Sequence, residues 1–170
     1  MAVLIALTLV SVAAVMSAAG AGAASPTINE RRWLEEQLWE TISKVRAHHG
    51  LGPLRPSGEL TAAARQHTSE MAQDGYFAHH GYRNSYARRL AEYYPRSRRH
   101  AWGVGEILVW GSPSLSAGQA VTLWLHSPEH RATLLSRWRD VGISAMHSRD
   151  APGVFQGLEV TVITIDFGRR

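Results

Sequence analysis

The 170-residue chain contains no cysteine. That excludes disulfides, thiol nucleophiles and cysteine-based zinc sites, so stability must come from packing and any nucleophile from water, serine or threonine. Lysine is almost missing as well. Lys44 is the only one, and arginine supplies nearly all of the 18 basic residues that face 14 acidic ones, for a formal net charge of +4. No Gly-x-Ser-x-Gly elbow, phosphate-binding glycine loop or His-Glu-x-x-His segment occurs. The usual serine-hydrolase, nucleotide-binding and metalloprotease readings therefore have no support. Charge is also absent from residues 1–25, which run apolar from Ala2 to Val15 and then turn small through Ser17, Ala18, Gly20 and Ala23. An apolar run followed by small residues is the pattern of a secretory signal peptide, and its length leaves an uncleaved N-terminal anchor as the alternative. The expected division is a signal peptide or anchor over 1–25 and one domain over 27–170. The expected location is secreted and extracellular, or tethered at the outer face if the segment is retained. No membrane span is expected after cleavage.

What is present suits a folded domain. Hydrophobic residues make up 45% and charged residues 19%, and the length is enough to bury a core without metal or disulfide support. The densest basic run, Arg88, Arg89, Arg96, Arg98 and Arg99, reads as a solvated surface, with contact to anionic phosphates of a cell envelope as the alternative. It lacks the interleaved aromatics of a nucleic-acid platform, and no nucleic-acid partner is expected.

Periodicity predicts helices first and strands last. A helix is expected from Asn29 to His48, with Leu34, Leu38, Ile42 and Val45 on one stripe, stopped by Gly50-Leu51-Gly52-Pro53. A second should start at Ser57, whose hydroxyl can cap it, and end at Gly75, with Leu60, Ala64, His67 and Met71 on one face. Tyr76 to Gly105 reads as loop apart from a helical piece over 85–93. Further helices are expected over 114–126 and from Ser127, where Ser, Pro and Glu follow one another as cap, first turn and dipole partner. The runs Val141–Met146 and Leu158–Ile165 are rich in β-branched residues and joined by a Gly/Pro/Asp loop, which predicts an antiparallel hairpin. The fold class is α+β.

The chemistry-bearing residues are few. His79 follows an aromatic pair in a loop, Glu106 sits between Gly105 and Ile107, and His130 lies in a first helical turn, where the dipole favours its neutral form. Two imidazoles and a carboxylate can hold zinc or move protons near neutral pH. His67, on an apolar stripe, is either a hydrogen-bonded core residue or a cleft residue. Glu129 is expected to cap and face solvent, Arg131 to pair with an acid, and Trp33, Trp102, Trp124 and Trp138 to pack.

In order, Ala64-Arg-Gln-His67-Thr-Ser-Glu-Met71, Tyr76-Phe77-Ala78-His79, Arg89, Gly105-Glu106-Ile107, Trp124-x-x-Ser127-Pro128-Glu129-His130-Arg131-x-x-Leu134-Leu135, Val141-Gly142-Ile143 and Phe167-Gly168 resemble the CAP domain in its bacterial secreted form. CAP names the superfamily of cysteine-rich secretory, antigen 5 and pathogenesis-related proteins. The resemblance covers about residues 32–168. It implies an α-β-α sandwich with a central, mainly antiparallel sheet flanked by helices, and a cleft of paired histidines and acids that can hold zinc. By motif position His79, Glu106 and His130 take those places, with His67 as a further cleft residue. A second acid found in animal and plant members is Ser127 here, Gly-Glu-Asn has become Gly-Glu-Ile, and Ser-Pro-Gly-His has become Ser-Pro-Glu-His.

Three functions follow as expectations. The first is an extracellular binding module for an envelope lipid, polymer or peptide, with weakly held Zn2+ on His79 and His130. The alternative is a zinc-assisted hydrolase of cell-wall or peptide substrate with Glu106 as general base. The third is a purely structural role. Oligomeric state is not legible.

Overall fold

The computed structural model describes residues 27–81, 85–96 and 101–170. The segment 1–25 and the pair Arg98 and Arg99 therefore lie outside the described residues. Five helices and five strands follow one another as β1 (Ile28–Glu30), α1 (Arg32–His48), β2 (Arg55–Pro56), α2 (Gly58–Asp74), α3 (Tyr86–Tyr93), β3 (Gly103–Gly111), α4 (Ala117–His126), α5 (Pro128–Leu134), β4 (Asp140–Ala151) and β5 (Leu158–Arg169). The sheet runs β1-β4-β5-β3, antiparallel throughout that path, with short β2 parallel to β4. Helices cover both faces, which is the α-β-α sandwich of an α+β domain. Among the described residues no helix is long and apolar enough to cross a membrane.

Strand alternation sorts the core into two layers, because successive side chains leave a strand on opposite faces. Ile107, Val141, Ile143, Ala145, Ile163, Ile165 and Phe167 face α1, α4 and α5, where Leu34, Leu38, Ile42, Ala120 and Trp124 complete the cluster. The opposite face meets α2 and α3 through Leu60, Ala63, Leu90 and Tyr94, and through Met71 and Ala72. The apolar stripe of α1 ends in a buried cation. Arg46 donates to the carbonyls of Leu134 at 2.7 Å and Ser136 at 2.8 Å, satisfying the C-terminal end of α5 with groups that would otherwise be orphaned. Burial pushes its guanidinium below the usual range.

Several local expectations are met. Ser57 Oγ accepts from Leu60 N–H, Gly75 closes α2 in the left-handed conformation, and the hairpin of β4 and β5 is antiparallel. Others need correction. The first helix is shorter at its start, since Ile28–Glu30 pairs with β4 as a strand. The expected loop ends before Gly105, since Gly103–Gly111 forms strand β3, whose two glycines break the β-branched pattern. The first turn of α4 is held by a capping box of Ser116 and Gln119, two residues later than expected. Trp33, expected to pack, is 55% exposed. Arg89, assigned to a solvated surface, is buried at 5% exposure, since linear density of charge says nothing about which face of a helix each arginine takes.

Candidate functional site

The site grows from one row of the sheet. Glu106 on β3 stands opposite Asp166 on β5, and both side chains turn toward the α2 and α3 layer. Two carboxyl groups side by side in the core are untenable without a cation. Arg89 from α3 supplies it. Its Nη1 donates to Asp166 Oδ2 at 3.3 Å and to the Ala63 carbonyl at 3.0 Å, while Nη2 donates to Glu106 Oε2. Both carboxylate side chains have 0% exposure. Asp166 is held well above the ordinary carboxyl range, first by complete burial and then by the negative charge of Glu106, with Arg89 pulling the other way. Its Oδ1 has no hydrogen-bond partner, a situation that favours the neutral acid.

The second oxygen of Glu106 faces outward along the row. Oε1 accepts from His79 Nδ1 at 2.9 Å. A carboxylate only accepts, so Nδ1 of His79 carries hydrogen, and in the neutral ring Nε2 keeps its lone pair. Beneath lies His67, fully buried on α2, whose Nε2 donates to the Ala78 carbonyl at 2.9 Å. That bond pins the loop residue immediately before His79. Burial, and then the Arg89 charge, push His67 below the usual imidazole range. It is a neutral tether under the loop.

Across a hollow, α5 presents His130. Ser127 adopts the extended cap conformation, but its hydroxyl makes no cap bond to the helix backbone. It lies 2.8 Å from His130 Nδ1 and orients that ring instead. Burial, followed by the neighbouring His79 ring, pushes His130 below the usual imidazole range, and Glu129 acts in the opposite sense. The two ring centroids are 6.3 Å apart. Trp138 closes the floor because Gly105 has no Cβ: one built there would stand 2.6 Å from Trp138 Cζ2.

The result is an open cavity of about 330 Å³ at the edge of β3, walled by His79, Tyr86, Glu129, His130 and Trp138. Of the expected residues, His79, Glu106 and His130 meet here. His67 does not line the wall but stands behind it, and Glu129 is an exposed rim residue. Arg131 is exposed instead of paired in the core. Asp166 was overlooked, although a lone acid inside Val-Ile-Thr-Ile-Asp-Phe is the mark of a buried polar group. Glu106 touches the cavity with its backbone alone, since its residue exposure is 6% and its side-chain exposure 0%. Both of its oxygens are engaged, Oε1 by His79 and Oε2 by Arg89. A larger cavity of about 440 Å³ between α1 and α2, lined by Glu35, Trp39 and Arg65, contains no imidazole and stands apart from this chemistry.

As metal donors the walls offer two Nε2 atoms, each ring oriented through Nδ1 by Glu106 or Ser127, which is the usual outer support of a metal-bound imidazole. Zinc takes four ligands. Among the described residues no group of three or more histidine, cysteine, aspartate or glutamate residues is arranged to hold a metal. The set fits half of a zinc sphere.

Residues 28–164 match the cysteine-rich secretory protein family, CAP. None of the curated proteins matches the chain in sequence. Among solved structures, an outer surface protein of Borrelia burgdorferi is similar with a TM-score of 0.69 and 17% identity over 85% of this chain and 98% of that one. An extracellular protein containing an SCP domain from Bacillus anthracis is similar with a TM-score of 0.63 and 20% identity over 82% of this chain. A cysteine-rich secretory protein of Staphylococcus aureus follows with a TM-score of 0.57 and 16% identity, also over 82%. This chain spans 41% and 39% of the last two.

Proposed function

This chain belongs to the CAP, or cysteine-rich secretory protein, family, and from that premise we propose that it is an extracellular binding module whose histidine-walled cavity engages a component of the cell envelope, a lipid, polymer or peptide. The observation that carries the reading is the division of labour at Glu106. A general base needs an oxygen that a water molecule can reach. Here Oε1 orients His79, Oε2 lies on Arg89, and the side chain is closed to solvent. The acid holds an imidazole in place, and His79 and His130 present their Nε2 atoms to a ligand. The fold is shared with proteins described as outer surface and extracellular, which supports the location.

Zinc is optional in this reading. If bound, it would sit on His79 and His130 and act as a Lewis acid toward a ligand oxygen. Glu106, Ser127 and His67 would orient the rings and keep His79 in the tautomer whose Nε2 is free.

The test is co-sedimentation of the purified chain with isolated cell envelopes. Wild type should sediment, and a His79→Ala/His130→Ala double variant should remain in the supernatant while still melting cooperatively. Release of soluble envelope fragments by wild type, abolished in Glu106→Gln, would contradict the binding-module reading in favour of a hydrolase.

A further inference from the structure

The cavity also contains main-chain chemistry. On β4, Arg31 N–H donates to the Ala145 carbonyl and Arg149 N–H to the Thr27 carbonyl, so the odd residues of β4 turn toward β1 and the even ones toward β5. Carrying this alternation through the β4–β5 and β5–β3 registers, Gly105, Ile107 and Val109 bond to β5. Val104, Glu106 and Leu108 therefore point their N–H and C=O groups off the free edge of the sheet. Leu108 is served there, since its carbonyl accepts from Trp124 Nε1 at 2.9 Å. For Val104 and Glu106, both on the cavity wall, no partner occurs among the described residues. An open strand edge of this kind is a template for another extended chain.

At the Gly103 end of the same edge lies a second hollow, of about 390 Å³, lined by Ala101, Arg137, Trp138, Arg139, Arg169 and Arg170. Trp138 walls both hollows. Arg169 is the cross-strand partner of Gly103, where a Cβ would stand 2.8 Å from its Nε, and its guanidinium lies 5.8 Å from the Trp138 ring centroid. Arg32, Arg55, Arg65 and Arg170 each pair with a carboxylate. Among the described residues Arg137, Arg139 and Arg169 have no such partner. Uncompensated guanidinium groups beside an unpaired strand edge suit a chain that ends in a carboxylate.

We propose that the cavity takes an extended peptide as an added strand antiparallel to β3, with main-chain hydrogen bonds to Val104 and Glu106 and its C-terminal carboxylate at Arg169. This rests on the binding-module reading and narrows its ligand to a peptide. At about 3.4 Å per residue, four residues cover the stretch from Glu106 to the arginine hollow. A lipid surface would leave the strand edge unpaired. The exposed large apolar residues, Trp33, Trp39, Leu123, Val154 and Leu158, lie on α1, α4 and the β4–β5 hairpin, not around this cavity.

The test uses the full chain, labelled with 15N, and acetyl-tetraalanine as free acid, as C-terminal amide, and N-methylated at alternate amides. The free acid should shift the Val104 and Glu106 amide resonances and slow their hydrogen exchange. The C-terminal amide should bind about tenfold more weakly. Arg169→Gln should erase the difference between acid and amide, and of the two alternately N-methylated peptides only the one methylated at the amides that face β3 should fail to bind. Val104→Pro removes one outward N–H without breaking the ladder to β5 and should abolish binding. Binding of both N-methylated peptides as tightly as the parent would overturn the proposal whether or not that variant folds. If the free acid fails to bind while wild type still sediments with envelopes, strand addition falls and the binding-module reading stands. Failure of both removes both.

Discussion

The two sides of Glu106 differ in kind. Inward, Arg89, Asp166 and His67 form a buried polar cluster in which Arg89 bridges the two carboxyl groups while its own Nε and Asp166 Oδ1 stand without a partner among the described residues. Outward, His79 and His130 are half-exposed rings that each use one nitrogen for orientation and keep the other unused. Family motifs mark both sides alike, yet the physics assigns them different tasks. On the binding-module proposal, the inner cluster decides whether the sheet and α3 come together, and the outer rings decide what is held. Substitutions should therefore separate folding from binding along this line.

The largest effect is expected from Arg89→Met. It leaves two buried carboxyl groups without a cation and should lower unfolding free energy by about 3–5 kcal/mol, measured by urea denaturation at neutral pH. A smaller loss, about 1–3 kcal/mol from overpacking, is expected for Gly105→Ala, whose new Cβ would meet Trp138 at 2.6 Å. This variant should also lose envelope binding, because the displaced indole floors the cavity.

Asp166→Asn sharpens the comparison through pH. A carboxyl raised in the folded state binds its proton more tightly than the unfolded chain does. Its stabilisation is full below the unfolded value near 3.8 and is lost as pH rises through the raised folded value. The amide mimics the neutral acid, so the variant should change stability near pH 5 by about 1 kcal/mol or less and should flatten the alkaline decline of the wild-type melting curve. An unchanged slope would show that Asp166 is ionised throughout. The smallest effect on stability belongs to His130→Ala, within about 0.5 kcal/mol of wild type, with His79→Ala costing about 1 kcal/mol because it removes the donor from Glu106 Oε1, while envelope sedimentation is lost in both.

Much of this was legible in the sequence where local chemistry decides. Ser57 and Gly75 delimit α2, the β-branched runs form the hairpin, and the stripe Leu34, Leu38, Ile42 is buried. What failed needed tertiary information. Gly103 and Gly105 read as loop breakers, yet they are strand positions where Arg169 and Trp138 lie against the backbone. Arg89 looked like its exposed neighbour Arg88 because composition does not reveal which side of a helix meets the sheet. Ser127 was read as a cap, and its hydroxyl serves His130 instead. Asp166 could have been flagged, since an acid in an apolar strand is costly to bury without a partner, but its partner is 77 positions away along the chain.

The most direct measurement is imidazole 15N NMR of the full chain during addition of solubilised envelope fragments. The account expects the Nε2 resonances of His79 and His130 to move together while those of buried His67 stay in place. Envelope binding that leaves His79 and His130 unmoved would contradict it.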